Sequence, residues 1–279
     1  MALALIPDRK IFYRDLRKLL GRRSATMYEE DILIPAYSLR HQEFIVNHTL
    51  APYHRAVTTG IAFVDHGDPS YRNQRYPFFR MLKLGACFCP KCAQDDVRAR
   101  GFSYWRRSHQ LLGIDWCYKH KDTPLQMLPS ISAFCGQPHR HVDHANPARP
   151  YFSVGSDQWK VLKRFADISL GILAIPSPVR RSRATRIVLA SATTAGICQE
   201  YSRDLSPLVQ HAKERLPLEW LQSNFPDLLN SLPNHQNNHG KCRLTRTNEF
   251  ILAFALLFDS ADTALGQWRN CQDSPYVET

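Results

Sequence analysis

Apolar residues recur every three or four positions near the amino terminus, which is the spacing of a helix with one buried side. The pattern predicts a helix from Asp8 to Leu20, stopped by Gly21. A second helix is predicted from Ser38 to Asn47 or Thr49, ahead of Pro52. Two short helices joined by a connector are compatible with a helix-turn-helix motif and, as the commoner case, with a small helical bundle.

The carboxy-terminal part returns to this spacing after a polar stretch. Four helices are predicted there: residues 156–172 capped by Ser156 or Asp157, residues 182–201 capped by Ser182, residues 218–225 with Pro217 in the first position, and residues 247–258. The last helix is the most apolar, so we expect it to be central. Residues 231–241 are rich in Asn, Gln and His and are predicted to form a loop.

These elements predict a mainly α protein in four parts. Residues 1–80 form a helical, helix-turn-helix-like region, and residues 81–128, dense in Cys, Arg, aromatic residues and His, form a zinc ribbon or finger. Residues 129–150 are a polar linker, and residues 151–279 form a helical domain. A chain of 279 residues has room for about two domains of ordinary size.

The overall charge adds a partner class to this picture. Lys and Arg total 36 against 25 for Asp and Glu, a net charge of +11, which favours a polyanion such as nucleic acid. No apolar run approaches the roughly 18 residues of a membrane helix, and the amino terminus has neither a basic region nor a cleavage site. We therefore expect a cytoplasmic, nucleoid-associated bacterial protein whose eight cysteines are thiols or metal ligands.

Two short knuckles carry the most specific chemistry. Cys89-Pro-Lys-Cys92 is followed, after 24 residues, by Cys117-Tyr-Lys-His120. Each turn presents two ligands to one side, and two such turns close a tetrahedral zinc site with three thiolates and one imidazole. The predicted ligands are Cys89, Cys92, Cys117 and His120, and a closed set of four indicates a structural ion.

Two alternatives accompany this assignment. Cys89 and Cys92 alone could be a redox dithiol, although no thioredoxin-like strand pattern surrounds them. Cys87 competes with Cys89 as a ligand, and we prefer Cys89 because it has the standard spacing to Cys92.

The stretch between the knuckles combines aromatic and basic residues. Tyr104 and Trp105 are expected to pack on the zinc core. Instead of contacting a partner, an arginine of this stretch could form an ion pair with Asp95 or Asp96. Three donors suited to phosphate or carboxylate are predicted to form a partner or nucleic-acid face: Arg106, Arg107 and His109.

Together these residues resemble the signature of the TniQ family. The resemblance rests on Cys89-Pro-Lys-Cys92, Tyr104-Trp-Arg-Arg-Ser-His-Gln110 and Cys117-Tyr-Lys-His120. Leu20-Gly-Arg-Arg23 and His48-Thr-Leu-Ala-Pro-Tyr53 resemble upstream family elements, in the same order. The family's usual N-terminal F-x-P-x-P pattern is absent, which implies a shortened first helical module.

The resemblance implies a non-enzymatic selector of target sites for transposition. TniQ proteins connect a target to the AAA+ regulator TnsC, which recruits the transposase. Some bind attachment-site DNA directly, whereas shorter ones ride on a CRISPR effector such as Cascade with its guide RNA, often as homodimers. The alternatives are a stand-alone sequence-specific DNA-binding zinc protein and, further off, a metal-dependent nuclease.

Weaker clusters remain. A second metal site could use Cys135, His139, His141 and His144, but the spacing is irregular and a polar loop is the ordinary interpretation. A similar, weaker set is His235, His239 and Cys242, and a nuclease-like trio is Asp65, His66 and Asp68. The densest basic run, ending at Arg186, begins a predicted helix, where cations oppose the macrodipole. We predict a nucleic-acid or partner contact at Arg180, Arg181 and Arg183.

Overall fold

The computed structural model describes residues 40–59, 66, 83, 85–121, 123–128, 136–148, 154–200, 202, 204–230 and 242–270. The predicted helix from Asp8 to Leu20 lies outside these residues, as does the predicted loop at 231–241. None of the helices in the described ranges is long and apolar enough to cross a membrane.

The fold is mainly α, as the sequence predicts. In chain order the elements are α1 (His41–His48), α2 (Ala51–His54), β1 (Val57–Thr58), β2 (Ala86–Phe88), α3 (Pro90–Arg100), a 3-10 helix (Arg107–Gln110), β3 (Gln126–Leu128), a second 3-10 helix (Pro138–His144), β4 (Asn146–Pro147), α4 (Ser156–Leu173), β5 (Val179–Arg180), α5 (Arg181–Thr194), α6 (Ser206–Arg215), α7 (Leu218–Asn224), α8 (Pro226–Asn230), α9 (Thr247–Leu257) and α10 (Ala261–Asn270).

The chain divides into two compact units, each made of separate stretches of sequence. Unit 1 comprises Met1–Thr49 and Arg72–Tyr151, and unit 2 comprises Leu50–Tyr71 and Phe152–Thr279. The four-part division of the sequence stays a prediction.

Unit 1 is organised by a small antiparallel sheet in the order β2-β3-β4. Cys87 on β2 pairs with Met127 on β3, and Met127 pairs with Asn146 on β4. β4 and the second 3-10 helix lie inside the stretch that was predicted to be a linker. The sheet supplies the backbone hydrogen-bond partners of β4, and a polar sequence gives no signal of such pairing. The first knuckle lies where the chain leaves β2 and begins α3.

Unit 2 is a helical core built around α9. Its residues from Thr247 to Ala255 are all buried, which confirms the expected central position of this most apolar helix. α4 packs against α9 and α10. A Cβ at Gly171 of α4 would lie 2.4 Å from Leu265 Cδ1 of α10, so glycine allows the two helices to approach closely.

Several predicted helix ends differ from the structure. α4 begins at Ser156 and its cap is Gly155, whose N–H is accepted by the Gln158 side chain at 3.3 Å. α5 begins at Arg181, not Ser182, and ends at Thr194. Pro217 is the cap of α7 and not its first residue. α3, α6 and α10 were not predicted, since their burial is too narrow to give a clear apolar stripe.

Candidate metal centre and its surroundings

The first knuckle is held by the start of α3. Cys89 is the cap of this helix, and its Sγ accepts the N–H of Cys92 at 3.5 Å. Pro90 occupies the first helical position, where a missing N–H costs nothing. The proline therefore starts the helix that follows Cys89.

The second knuckle is a turn closed by two backbone hydrogen bonds and one hydrogen bond to a side-chain sulfur. The Cys117 Sγ accepts the His120 N–H at 3.3 Å, repeating the arrangement of the first knuckle. Thr123 N donates to His120 O at 2.7 Å, and Cys117 N donates to Thr123 O at 2.8 Å. Cys117 and His120 thus face the same side of one rigid loop.

The two knuckles bring the predicted ligand atoms together. Cys89 Sγ, Cys92 Sγ, Cys117 Sγ and one ring nitrogen of His120 all lie within 4.8 Å of one another. The Cys92 and Cys117 sulfurs are 3.5 Å apart, and His120 Nδ1 lies 3.3 Å from Cys92 Sγ and 3.7 Å from Cys117 Sγ. The edges of a tetrahedron around zinc are about 3.8 Å between sulfurs and about 3.6 Å between sulfur and nitrogen. The donor atoms therefore fit one tetrahedral divalent ion.

Burial makes this cluster depend on a cation. The three cysteines are almost wholly buried. The hydrogen bond with Cys117 raises the pKa of Cys92 far above its usual range, whereas the hydrogen bonds from Cys89 and Cys92 lower the pKa of Cys117. The thiolate form is therefore favoured at Cys117 over Cys92. A divalent cation would neutralise additional thiolates at this position.

Asp95 orients the histidine of the cluster. Its Oδ2 lies 3.1 Å from His120 Nε2 and 2.6 Å from Lys119 Nζ. The hydrogen bond from Lys119 lowers the pKa of Asp95, which keeps the carboxylate ionised. A proton on His120 Nε2 that is donated to Asp95 leaves Nδ1 as the free donor atom facing the sulfurs. This carboxylate–histidine pair is the usual outer support of a metal-bound imidazole.

His109 contacts the cluster from the buried side. Its Nε2 lies 3.7 Å from Cys117 Sγ, and the side chain is only 5% exposed. Burial lowers the pKa of His109, so the neutral ring can donate one N–H to the sulfur. His109 was predicted to contact a partner, and the structure places it in the buried interior beside Cys117.

Cys87 is near the four donor atoms but is not one of them. Among the described residues the convergent group consists of Cys89, Cys92, Cys117 and His120 alone. Cys87 N instead donates to Gln110 Oε1 at 2.9 Å, and Gln110 Nε2 donates back to Cys87 O. These bonds fix β2 against the first 3-10 helix. The geometry therefore favours Cys89, the preferred choice, over its competitor.

Arg106 is engaged within unit 1. Its Nη2 lies 2.8 Å from Asp96 Oδ1, a carboxylate that is 2% exposed and also accepts Arg100 Nη1 at 3.0 Å. The guanidinium carbon of Arg106 stands 4.5 Å from the centre of the Tyr104 ring. The alternative in which an arginine pairs with Asp96 thus describes Arg106.

Arg107 stabilises the end of a helix. Its Nη1 donates to Val46 O and to Thr49 O, the latter at 3.2 Å, at the carboxy terminus of α1. A cation at this end complements the helix dipole and satisfies carbonyls that lack helical partners. The sequence placed Arg107 on a contact face; the structure gives it this internal role.

The aromatic pair packs beside the metal cluster rather than on it. The Trp105 ring meets Phe88 edge to face, with centroids 5.7 Å apart, and its Nε1 donates to Gly136 O at 2.9 Å. Tyr104 faces Arg106 instead. Both rings were expected to pack on the zinc core, but Trp105 packs against the neighbouring cluster of Phe88, Ala93 and Leu128.

The second set of predicted metal ligands does not converge in the described residues. His139 Nδ1 lies 2.8 Å from Ser103 Oγ, and the His141 ring lies 6.2 Å from the Trp105 ring. His144 is exposed, and Cys135 lies outside the described residues. These histidines hold the second 3-10 helix in place.

The remaining weak candidates are mostly beyond the described residues. Asp65, Asp68, His235 and His239 all lie outside them. His66 is 1% exposed, and burial lowers its pKa to about 3. Cys242 is buried, and its N–H donates to Asp204 Oδ1 at 2.9 Å.

The basic run of unit 2 lies along a groove. Arg180 and Arg181 line it, whereas Arg183 does not. Arg186, part of the same run, and Arg243, which the sequence analysis missed, line it as well. Arg243 stands alone in the sequence, so only the fold could reveal its place beside α5.

Comparison with known proteins identifies the part of the chain that holds the metal centre. Residues 4–122 match the TniQ family model, a stretch that contains both knuckles. This region therefore belongs to the TniQ family, which confirms the resemblance, and it marks a transposition-associated protein. Proteins of the TniQ family act in the targeting of transposition and are not a known class of enzyme. No curated protein sequence matches the chain.

Proposed function

We propose that this chain, which carries a TniQ domain, is a target-site selection adaptor. It links a target-recognition element, either DNA or a CRISPR effector such as Cascade with its guide RNA, to an AAA+ regulator of the TnsC type. The observation that carries the proposal is that the family match spans residues 4–122 and encloses the four converging donor side chains.

Zinc is the proposed ion of the metal centre. Three thiolates and an imidazole are the donors that Zn²⁺ prefers, and the set of four leaves no position for a substrate. The role of the ion is therefore structural: it ties the turn after β2 to the loop at Cys117–His120 and so shapes the surface around α3. A closed site of this kind supports an adaptor without catalytic activity.

The proposed partners follow from charge. A surplus of eleven positive charges suits a nucleic-acid-associated complex in the bacterial cytoplasm. Arg180 and Arg181 are the proposed contact residues on the groove of unit 2. Arg183 stays a weaker proposal. Arg106 and Arg107 would shape the contact surface from within, through Asp96 and α1.

Targeted insertion in cells tests this function. The chromosomal copy is deleted, and the frequency and positions of transposon insertions are mapped by sequencing after complementation. We expect the wild-type chain and Cys87→Ala to restore targeted insertion and Cys92→Ala to fail. Insertions with unchanged frequency and distribution in the deletion strain would refute the adaptor role.

Binding experiments separate the modes of target recognition. Sequence-selective gel shifts by the purified chain alone would indicate direct DNA reading. Selectivity that requires a guide-RNA complex would indicate the CRISPR-linked mode. Plasmid incubated with the chain and Mg²⁺ is expected to stay uncut, and cleavage would favour the nuclease alternative.

A further inference from the structure

We infer that the groove of unit 2 binds an acidic, partly apolar peptide segment of a partner protein. The groove has a volume of about 1610 Å³ and lies between α5, the ends of β1 and β5, and residues 243–245. Sites for drug-sized ligands have volumes of roughly 300–1,000 Å³. The space is therefore better matched to a stretch of polymer than to a small molecule.

The walls of the groove are fixed by backbone hydrogen bonds. β1 pairs in parallel with β5, with Val57 opposite Val179. Leu205 N donates to Cys242 O at 3.2 Å. Thr245 N donates to Glu249 Oε2 at 2.6 Å, which anchors the opposite wall to α9. A preformed groove binds an extended segment without the cost of ordering its own loops.

The side of α5 that faces the groove is set by packing on its other side. Ala184, Val188 and Ala192 are fully buried and recur at every fourth position. Arg186, Leu189 and Thr193 recur at every third or fourth position and line the groove. Rotation of the helix would expose the small buried residues, so the residues on the opposite side stay directed toward the groove.

The charge of the lining selects an acidic ligand. Among the described residues, four arginines line the groove, at positions 180, 181, 186 and 243, against a single acidic residue, Glu200. Arg181 Nε is buried and has no hydrogen-bond partner among the described residues. The amino terminus of α5 adds its own positive partial charge. Carboxylates of a bound segment would pair with the exposed guanidinium nitrogens of the lining.

The apolar floor favours a peptide over a nucleic acid. Leu189, Ala190, Leu205 and Leu244 line the groove between the arginines. Aliphatic side chains of this kind pack on those of a peptide, whereas single-stranded nucleic acid is usually bound by aromatic stacking, which none of the described lining residues provides. A segment that alternates acidic and aliphatic or aromatic side chains would satisfy both the floor and the basic rim.

This inference rests on the proposed function only for the identity of the partner, which would be a component of the transposition machinery. The binding test uses the purified full chain and random peptides. If no peptide binds, the groove proposal is refuted, while the result of the insertion assay still decides the adaptor role. Failure of the insertion assay alone would remove the adaptor role and leave peptide binding intact.

The test pans a phage-displayed library of random short peptides against the immobilised full chain. Enriched peptides are synthesised with a fluorophore, and their affinities are measured by anisotropy. We expect enrichment in Asp and Glu together with apolar residues. Arg186→Glu combined with Arg243→Glu should weaken binding by about tenfold or more, because like charges then meet in the groove.

Matched variants keep the outcome decisive. Arg269→Glu changes an exposed arginine of α10 outside the groove and should leave affinity unchanged. Arg186→Gln with Arg243→Gln removes charge without reversal, in case the double reversal does not fold, and should also weaken binding. No enrichment, or peptides indifferent to both double variants, would overturn the proposal. The proposal would also be overturned if the double variants bound single-stranded or duplex DNA more weakly than the wild type does, while their affinity for the peptides was unchanged.

Discussion

Replacing Cys92 by alanine should unfold unit 1, whereas replacing the neighbouring Cys87 should only weaken it. Both thiols belong to the same buried cluster, with exposures of 2% and 0%, so each substitution removes one buried sulfur from a similar environment. The two changes differ in one respect, because only Cys92 Sγ is among the four convergent donor atoms.

The expected magnitudes are far apart. Deleting one buried group of methylene size costs about 0.5–1.5 kcal/mol, which is the whole effect expected for Cys87→Ala. Each 1 kcal/mol lost lowers the melting temperature of a domain by about 2–8 °C. A structural zinc site contributes about 10–16 kcal/mol, as much as the entire folding free energy of about 5–15 kcal/mol of a typical domain. The loss of one ligand should therefore leave unit 1 without a cooperative fold.

Metal content and thermal unfolding together measure the difference. Elemental analysis of the purified full-length protein should find about one zinc per chain in the wild type and in Cys87→Ala, and close to none in Cys92→Ala. The wild type treated with a strong chelator should behave as Cys92→Ala does. Equal melting curves for the two variants, or a metal-free wild type that unfolds cooperatively at an unchanged temperature, would refute the reasoning.

Three further predictions rest on single contacts. Asp95→Asn should weaken zinc affinity about 10–100-fold in a chelator competition, because His120 loses its ionised support; an unchanged affinity would contradict this. His66→Gln should reduce the loss of stability in acid. The unfolded chain protonates this histidine below pH 6.5 and the folded chain only near pH 3, so unfolding free energy falls across that window, by at most about 5 kcal/mol. Parallel pH–stability curves for variant and wild type would exclude this role. Arg107→Ala should destabilise unit 1 by about 1.5–3 kcal/mol in denaturant unfolding, since two carbonyls at the end of α1 lose a charged donor. The control is Arg98→Ala, which changes an exposed residue of α3. An effect of Arg107→Ala no larger than that of the control would count against the prediction.

The sequence predicts which four side chains converge because their spacing alone restricts the geometry. A two-residue gap forces Cys89 and Cys92 onto one turn, whatever surrounds them, and the same holds for Cys117 and His120. α9 was predictable for a related reason: its residues are apolar on all sides, so no competing placement exists. In both cases the information is local.

The roles of individual polar residues were not predictable in this way. Arg107 and His109 lie two positions apart, yet one caps a helix that is 58 residues away in sequence and the other donates to a buried sulfur. Arg243 joins a groove whose other arginines are more than fifty residues earlier. Such partners are chosen by the tertiary fold, and charge or hydrogen-bonding capacity alone does not identify them.

The alternation of the two units along the chain constrains how the protein can be made and cut. Residues 50–71 belong with residues 152–279, and β1 finds its partner strand only after more than a hundred further residues have been synthesised. On the ribosome, the early strand must wait while the segment with the cysteines emerges. No single proteolytic cut releases either unit intact, so a terminal truncation that removes the whole of one unit also removes part of the other.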